Sequence, residues 1–483
     1  ALPTALLPEG DPVVAFNTLS WRRGGPVTLP VPTGEGVRLV SEDGRSVPLQ
    51  RIHGQDGGNG RAVAWLRDLP PLGWRGFVLQ PAKGPESEPQ AGIARGYALE
   101  NAFLRAEIDP VTGELSRLHA KKTEKELLAP GSHGNRLVFY EDRTSRPADT
   151  AHGWQPWFIG FTGNVLDPGQ VESVSVLETG PVRGRIRVSR YVPLTEGLPP
   201  TTIVQDIVLY ADSPVLHFET KGDWQAAEVM LKAEFDLSFS CERVASEAPY
   251  GVSESPPNRE AHSRATDADS AAEDGAAAGQ VTPEPDRPMQ KWLDFSDGEQ
   301  GLAFLNNGRY GYDADHRQVR LSLLRAPYMR KEREERIGLG SFSFSYALAP
   351  HAGDWREADI PKLGYAFNTE LHVHPCRRET GADGVPRSLI RPEAETVLVT
   401  AVKQAETGEG IIVRLVETHG RPDSVALHMG VPVRRACECD LTEQDGGSDG
   451  AAVPRCDDIA VGERLVRLTL QPFEVRTLRI VFA

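Results

Sequence analysis

The chain reads as all-β. Three observations carry that expectation: strand-length runs with a two-residue apolar period, 47 Gly and 38 Pro spread between them, and no helical period between the clearest runs. Gly and Pro at that density imply frequent turns and short strands. At 483 residues the chain is too long for one ordinary core, so two to four domains are expected.

From Pro12 to Gln80, short β-rich runs such as Val27–Val31 and Gly76–Gln80 are split by turns such as Gly57-Gly58-Asn59-Gly60, which predicts a small β-sandwich over residues 1–80. Residues 81–95 open with PAKGPESEPQAG, the make-up of an interdomain linker. Beyond it Leu104, Ala106 and Ile108 alternate with Phe103, Arg105 and Glu107 and run into Asp109-Pro110-Val111-Thr112-Gly113, a hairpin signal. The same period returns at 182–188, 203–210, 215–219 and 228–237, and strand signals resume at Trp292–Phe295, Gly301–Leu305, Val319–Leu324 and Ser341–Leu348. Strand following strand predicts a large antiparallel sandwich over residues 96–374. Within it, residues 255–288 are poor in apolar side chains and rich in Ala, Asp, Glu and Pro, and read as a mobile loop. A last group of strands, including Gly410–Val416 and Leu465–Leu470, predicts a terminal β-domain over residues 375–483. No internal repeat has a fixed period.

The net charge of −15 sets up a field that repels nucleic acid and anionic lipid, so neither is an expected partner; a neutral ligand such as a sugar is compatible with it. Five cysteines make an odd number in a large chain and do not look like a disulfide framework, which favours a reducing compartment. No apolar stretch is long enough to cross a bilayer, and Ala1–Pro8 lacks the basic start and long apolar run of a signal peptide. The expectation is a cytoplasmic protein. A strand-like run already begins at Val13, which suggests that a preceding segment was removed or forms a separate chain.

Metal chemistry needs about three converging His, Asp, Glu or Cys ligands. His372-Val373-His374 and Cys437-Glu438-Cys439 each put two candidate ligands on one strand face, but the histidines precede Pro375 at a domain edge and the cysteines lack a second close pair with zinc-ribbon spacing, so no metal site is assigned. Catalysis by a carboxylate pair needs one ionised and one protonated group close together, and 68 Asp and Glu residues offer too many pairs for composition to choose one. No catalytic residue is therefore named. Trp154 and Trp157 could offer aromatic faces to a pyranose ring, although burial in a core accounts for them at least as well.

Seven segments, in order along the chain, carry a family resemblance: Val13–Trp21 (VVAFNTLSW), Leu99–Arg105 (LENAFLR), Gln300–Tyr312 (QGLAFLNNGRYGY), Leu321–Pro327 (LSLLRAP), Phe344–Trp355 (FSYALAPHAGDW), Glu406–Leu415 (ETGEGIIVRL) and Pro472–Leu478 (PFEVRTL). They resemble the non-catalytic, all-β half of the family 38 α-mannosidases. The resemblance implies a galactose-mutarotase-like β-supersandwich flanked by two smaller β-sandwiches. It also implies a partner, the α/β domain that carries a zinc ion, an Asp nucleophile and an acid/base carboxylate, which has no counterpart in this sequence. No cofactor is expected in the chain itself, zinc is expected in that catalytic domain, and the substrate implied is an α-mannoside; homo-oligomers are compatible with this picture. Arg325 looks like an arginine that the family's β-region sends toward the sugar cleft, where a guanidinium would donate to hydroxyls; a structural ion pair at the strand end is the competing role. Relatives carry acidic residues within the Trp-x-x-Trp segment, where Gln155, Pro156 and Phe158 stand here. His351, Asp354 and Trp355 match the family's Pro-His-Ala-Gly-Asp-Trp pattern and are read as a turn held by side-chain bonds to backbone. Two other readings share the fold: a mutarotase-like sugar epimerase or lyase using its own general acid and base, and a non-catalytic carbohydrate-binding protein.

Overall fold

The computed structural model describes residues 4, 7–33, 36–52, 60–82, 92–142, 159–258, 286–329, 335–378, 386–444 and 458–483. The chain divides into two compact units, one of residues 1–89, 249–252 and 369–483, the other of residues 90–248 and 253–368.

The larger unit shows how alternation becomes structure. Leu104–Ile108 pairs antiparallel with Leu115–Ala120, and Leu104, Ala106, Ile108, Leu115, Leu118 and Ala120 all enter one core. The turn between them is closed by Asp109, whose Oδ1 accepts the N–H groups of Val111 (2.7 Å) and Thr112 (3.0 Å). Gly113 completes it at φ 68°, where a Cβ would lie 2.4 Å from Val188 Cγ1, so both the backbone and the space demand glycine.

Two large antiparallel sheets face each other across that core, one of eleven strands and one of nine. In the first, Gln318–Arg325, Val229–Asp236 and Gly134–Asp142 lie side by side; in the second, Thr201–Tyr210, Leu216–Trp224, Gly340–Ala352 and Gln300–Asn306 are neighbours. Leu231, Phe235 and Leu321 from one sheet meet Ile207, Phe218, Phe304 and Leu348 from the other. This is the large antiparallel sandwich expected from the strand pattern. The predicted loop 255–288 falls mostly outside the described residues; at its ends Asn258 accepts the Ala314 N–H (2.9 Å), and Arg287–Pro288 adds a short strand.

A nine-residue helix, Ile360–Asn368, was not anticipated from the sequence. Pro361 sits in its first turn, where the missing N–H costs nothing, and Gly364 lets the helix approach Trp292, whose ring a Cβ would meet at 2.7 Å.

His351 ends the chain pattern Ser-Tyr-Ala-Leu-Ala-Pro-His in a buried ion pair. Its Nε2 lies 2.6 Å from Asp294 Oδ1 and its Nδ1 lies 3.3 Å from the Ala352 carbonyl, so both nitrogens face acceptors, a setting that favours the imidazolium form. Burial opposes that charge, but Asp294 and the carbonyl outweigh it and raise the His351 pKa above its ordinary value. A raised folded-state value means that the stabilisation is complete below pH ~6.5, the unfolded value, and disappears as pH rises through the folded one. The urea midpoint of the wild-type chain should therefore drop between pH 6 and pH 9 by more than that of His351→Gln; parallel pH profiles for the two proteins would rule this out.

The other unit contains two smaller pairs of sheets. In one, a five-stranded sheet in the order His372–Pro375, Asp11–Asn17, Gly73–Pro81, Val37–Ser41, Ser46–Val47 accompanies a three-stranded sheet over a core that includes Val13, Leu29, Leu39, Leu66 and Phe77. In the other, two four-stranded sheets enclose Val413, Leu427, Val466, Leu478 and Ile480.

Candidate functional site

Three neighbouring strands of the eleven-stranded sheet position the site. Leu137, Phe139, Leu231, Ala233, Phe235, Val319, Leu321 and Leu323 take the core face, so the intervening side chains, Tyr140, Lys232, Glu234 and Arg320 among them, take the opposite one. Register puts Tyr140 opposite Met230 and Met230 opposite Arg325, and a bulge between Leu231 and Lys232 shifts the alternation just before that row.

Charge on this face is dense and matched. Lys232 Nζ donates to Asp286 (2.5 Å) and to Asp313, and Arg320 Nε donates to Asp313 Oδ1 (2.6 Å). Arg320 Nη1 also reaches the Tyr140 hydroxyl (3.2 Å), which itself donates to Glu234, a carboxylate shared with Arg136. Side-chain exposure is 0% for Asp313 and 5% for Lys232, a depth at which charges persist only when paired. Burial and the Glu234 acceptor push the Tyr140 hydroxyl up to about 12, so it remains a donor. Burial works against the Arg320 charge, but Asp313 and Tyr140 outweigh it and hold the guanidinium pKa above its usual value.

At the end of this charge belt stands Arg325, the last residue of Gln318–Arg325. Its Nε and Nη2 both donate to Asp142, the latter at 3.3 Å. Asp142 is fully buried while the Arg325 side chain keeps 20% of its surface exposed. The Asp142 carboxylate also accepts the Gly160 N–H (2.6 Å), and its own N–H donates to the Glu228 carbonyl (2.8 Å). The result is a guanidinium held from one side by a fixed carboxylate and open to solvent on part of its surface, an arrangement suited to hydrogen-bonding a polar ligand. Asp142 was not singled out from the sequence. It ends an apolar strand run as the second of two adjacent acids, and nothing local marks it among 68 carboxylates.

The remaining sequence candidates are dispersed. His372 and His374 lie on the exposed edge strand paired with Asp11–Asn17, with His374 edge-on to Phe16 at 6.0 Å. Cys439 is buried against Ala405 and Ile412, while Cys437 is half-buried on the same strand. Among the described residues no group of three or more His, Cys, Asp or Glu side chains could hold a metal. Trp154 and Trp157 lie outside the described residues. Asp354 forms the expected turn by accepting the N–H groups of Arg356 (2.9 Å) and Glu357 (3.0 Å), and the Trp355 indole donates to Glu254 (3.0 Å).

Comparison with known proteins gives this geometry its context. Residues 99–333 match the glycosyl hydrolases family 38 C-terminal domain, and residues 396–478 match the glycosyl hydrolases family 38 C-terminal beta sandwich domain. Alpha-mannosidase 2C1 of Mus musculus is 27% identical over 488 residues, covering 99% of this chain and 41% of the relative, and its Homo sapiens counterpart is 27% identical over 98% of this chain and 40% of the relative. Alpha-mannosidase G of Dictyostelium discoideum is 24% identical over 79% of this chain. The chain thus spans about two fifths of the length of these first two relatives. In fold it is similar to the crystal structure of an alpha-mannosidase from Enterococcus faecalis V583, with TM-score 0.73 at 17% identity, over 99% of this chain and 57% of that one. With both C-terminal domains of one family matched in order along its length, the chain belongs to glycosyl hydrolase family 38 and is that family's C-terminal all-β region.

Proposed function

We infer that this chain is the C-terminal β-half of a retaining α-mannosidase, stabilising the catalytic domain and lining its sugar cleft with Arg325. The observation that supports this best is coverage: the chain aligns almost end to end with α-mannosidases while accounting for about two fifths of their length. On the family's pattern the zinc ion, the nucleophile and the acid/base carboxylate belong to an α/β region outside these residues, present either upstream or as a partner chain. The β-half is inactive alone. Arg325 donates to hydroxyls of an α-mannoside from the exposed side of its Asp142 pair. The odd cysteine count favours a reducing, cytoplasmic setting.

The test is an aryl α-mannoside assay on the chain alone and on the chain together with the catalytic α/β polypeptide. The expected outcome is turnover only in the second case, abolished by a zinc chelator. Chelator-resistant turnover by the chain alone would overturn the proposal.

A further inference from the structure

We propose that Asp142 is the positioning residue of Arg325, fixing its guanidinium in place and muting its pull on anionic ligands. The inference rests on the reading that Arg325 lines the sugar cleft.

Two observations carry it. The first is geometric. Asp142 takes both Nε and Nη2 of Arg325, and a two-point contact fixes the plane of a guanidinium where a single bond would leave it free to pivot. Asp142 cannot swing with its partner, because its carboxylate is also tied to the Gly160 N–H and its backbone N–H to the Glu228 carbonyl, and the residue is fully buried. An arginine ordered in this way does not have to be immobilised when a ligand arrives, so its hydrogen bonds contribute more fully to binding.

The second is electrostatic. The charge of Arg325 is already balanced by a carboxylate that has no access to water, and the neighbouring cations Lys232, Arg320 and Arg136 each have a carboxylate of their own. This face therefore offers N–H donors without surplus positive charge. Such donors suit sugar hydroxyls. A phosphorylated or carboxylated mannoside would meet the exposed guanidinium before the carboxylate behind it, but Asp142 cancels most of the attraction that an unpaired arginine would exert, so an anion gains little over a hydroxyl.

The experiment uses the full enzyme, with its catalytic domain, and compares an aryl α-mannoside with its 6-phosphate. Asp142→Asn keeps the shape of the side chain and removes its charge. It should raise KM for the neutral substrate about tenfold, with a smaller fall in kcat, and shift preference toward the phosphorylated one, because the Arg325 charge is released. Asp142→Glu, which retains the charge but displaces it, should raise KM without altering the preference. Arg325→Gln separates the two levels of the argument. If it leaves KM unchanged, the cleft assignment of Arg325 fails and this inference falls with it. If it raises KM while both Asp142 variants behave as wild type, the positioning role alone is overturned. Equal losses on both substrates in the Asp142 variants, confined to kcat and matched by lost folded protein, would likewise reduce Asp142 to a structural role and overturn it.

Discussion

Replacing Asp313 with alanine will destabilise the large unit by ~3–5 kcal/mol, the usual cost of removing one partner from a buried ion network. Asp313 has no exposed side-chain surface and accepts from Lys232 on one oxygen and from Arg320 on the other. Without it, Arg320 keeps only the Tyr140 hydroxyl among these network partners, and Lys232 depends on Asp286. Both cations would remain at positions with little access to water. The loss is measured from urea unfolding of the wild-type and Asp313→Ala chains at neutral pH, and a difference below ~1 kcal/mol would place the network's contribution within the range of a surface salt bridge. A combined Asp313→Leu, Lys232→Met, Arg320→Met, Asp286→Asn variant, which removes the two cations together with both carboxylates that Lys232 pairs with, should recover much of the loss, since replacing a buried ion network by uncharged side chains is often neutral or stabilising. Failure to recover would mean that the strands need these charges for their register.

Trp224→Ala is the other large effect expected, again ~3–5 kcal/mol, but through packing. Trp224 is fully buried at the end of Leu216–Trp224 in the nine-stranded sheet, and its ring stacks at 6.1 Å on Phe139 of the opposite sheet, with an interplanar angle of 7°. The contact spans the sandwich, so truncation opens a cavity that neither sheet can close alone. Trp224→Phe should cost much less. The indole N–H has no hydrogen-bond partner among the described residues, so the phenyl ring forfeits area but no polar interaction. Near-equal losses for Ala and Phe would show that the indole makes a specific bond after all.

Residues with a local signature were legible in the sequence. The alternation of Leu104, Ala106 and Ile108 and the Asp109 turn gave a hairpin that the structure contains. The run 228–237 appears as Val229–Asp236. The helix Ile360–Asn368 was not legible, because nine residues that include Pro361 and Gly364 give too short a period and too weak a propensity to stand out. Arg325 could be picked out because it sits in a recognisable strand-end motif. Its partner Asp142 lies 183 residues away in the chain, and no pattern at one position encodes which distant strand will lie beside it.

The sequence by itself determined that the chain is all-β, which face of the strand at Leu104, Ala106 and Ile108 would be apolar, and to which family it is similar, since all three follow from residue types at short spacing. Only the tertiary structure decided which strands became neighbours, and hence that the first residues, through Asp11–Asn17, pair with His372–Pro375, and that Lys232, Asp313 and Arg320 meet on one buried face. The physical reason is that strand pairing and burial of charge depend on the folded sheet as a whole: a carboxylate's partner is chosen by register and by exclusion of water, neither of which exists until the two sheets have closed.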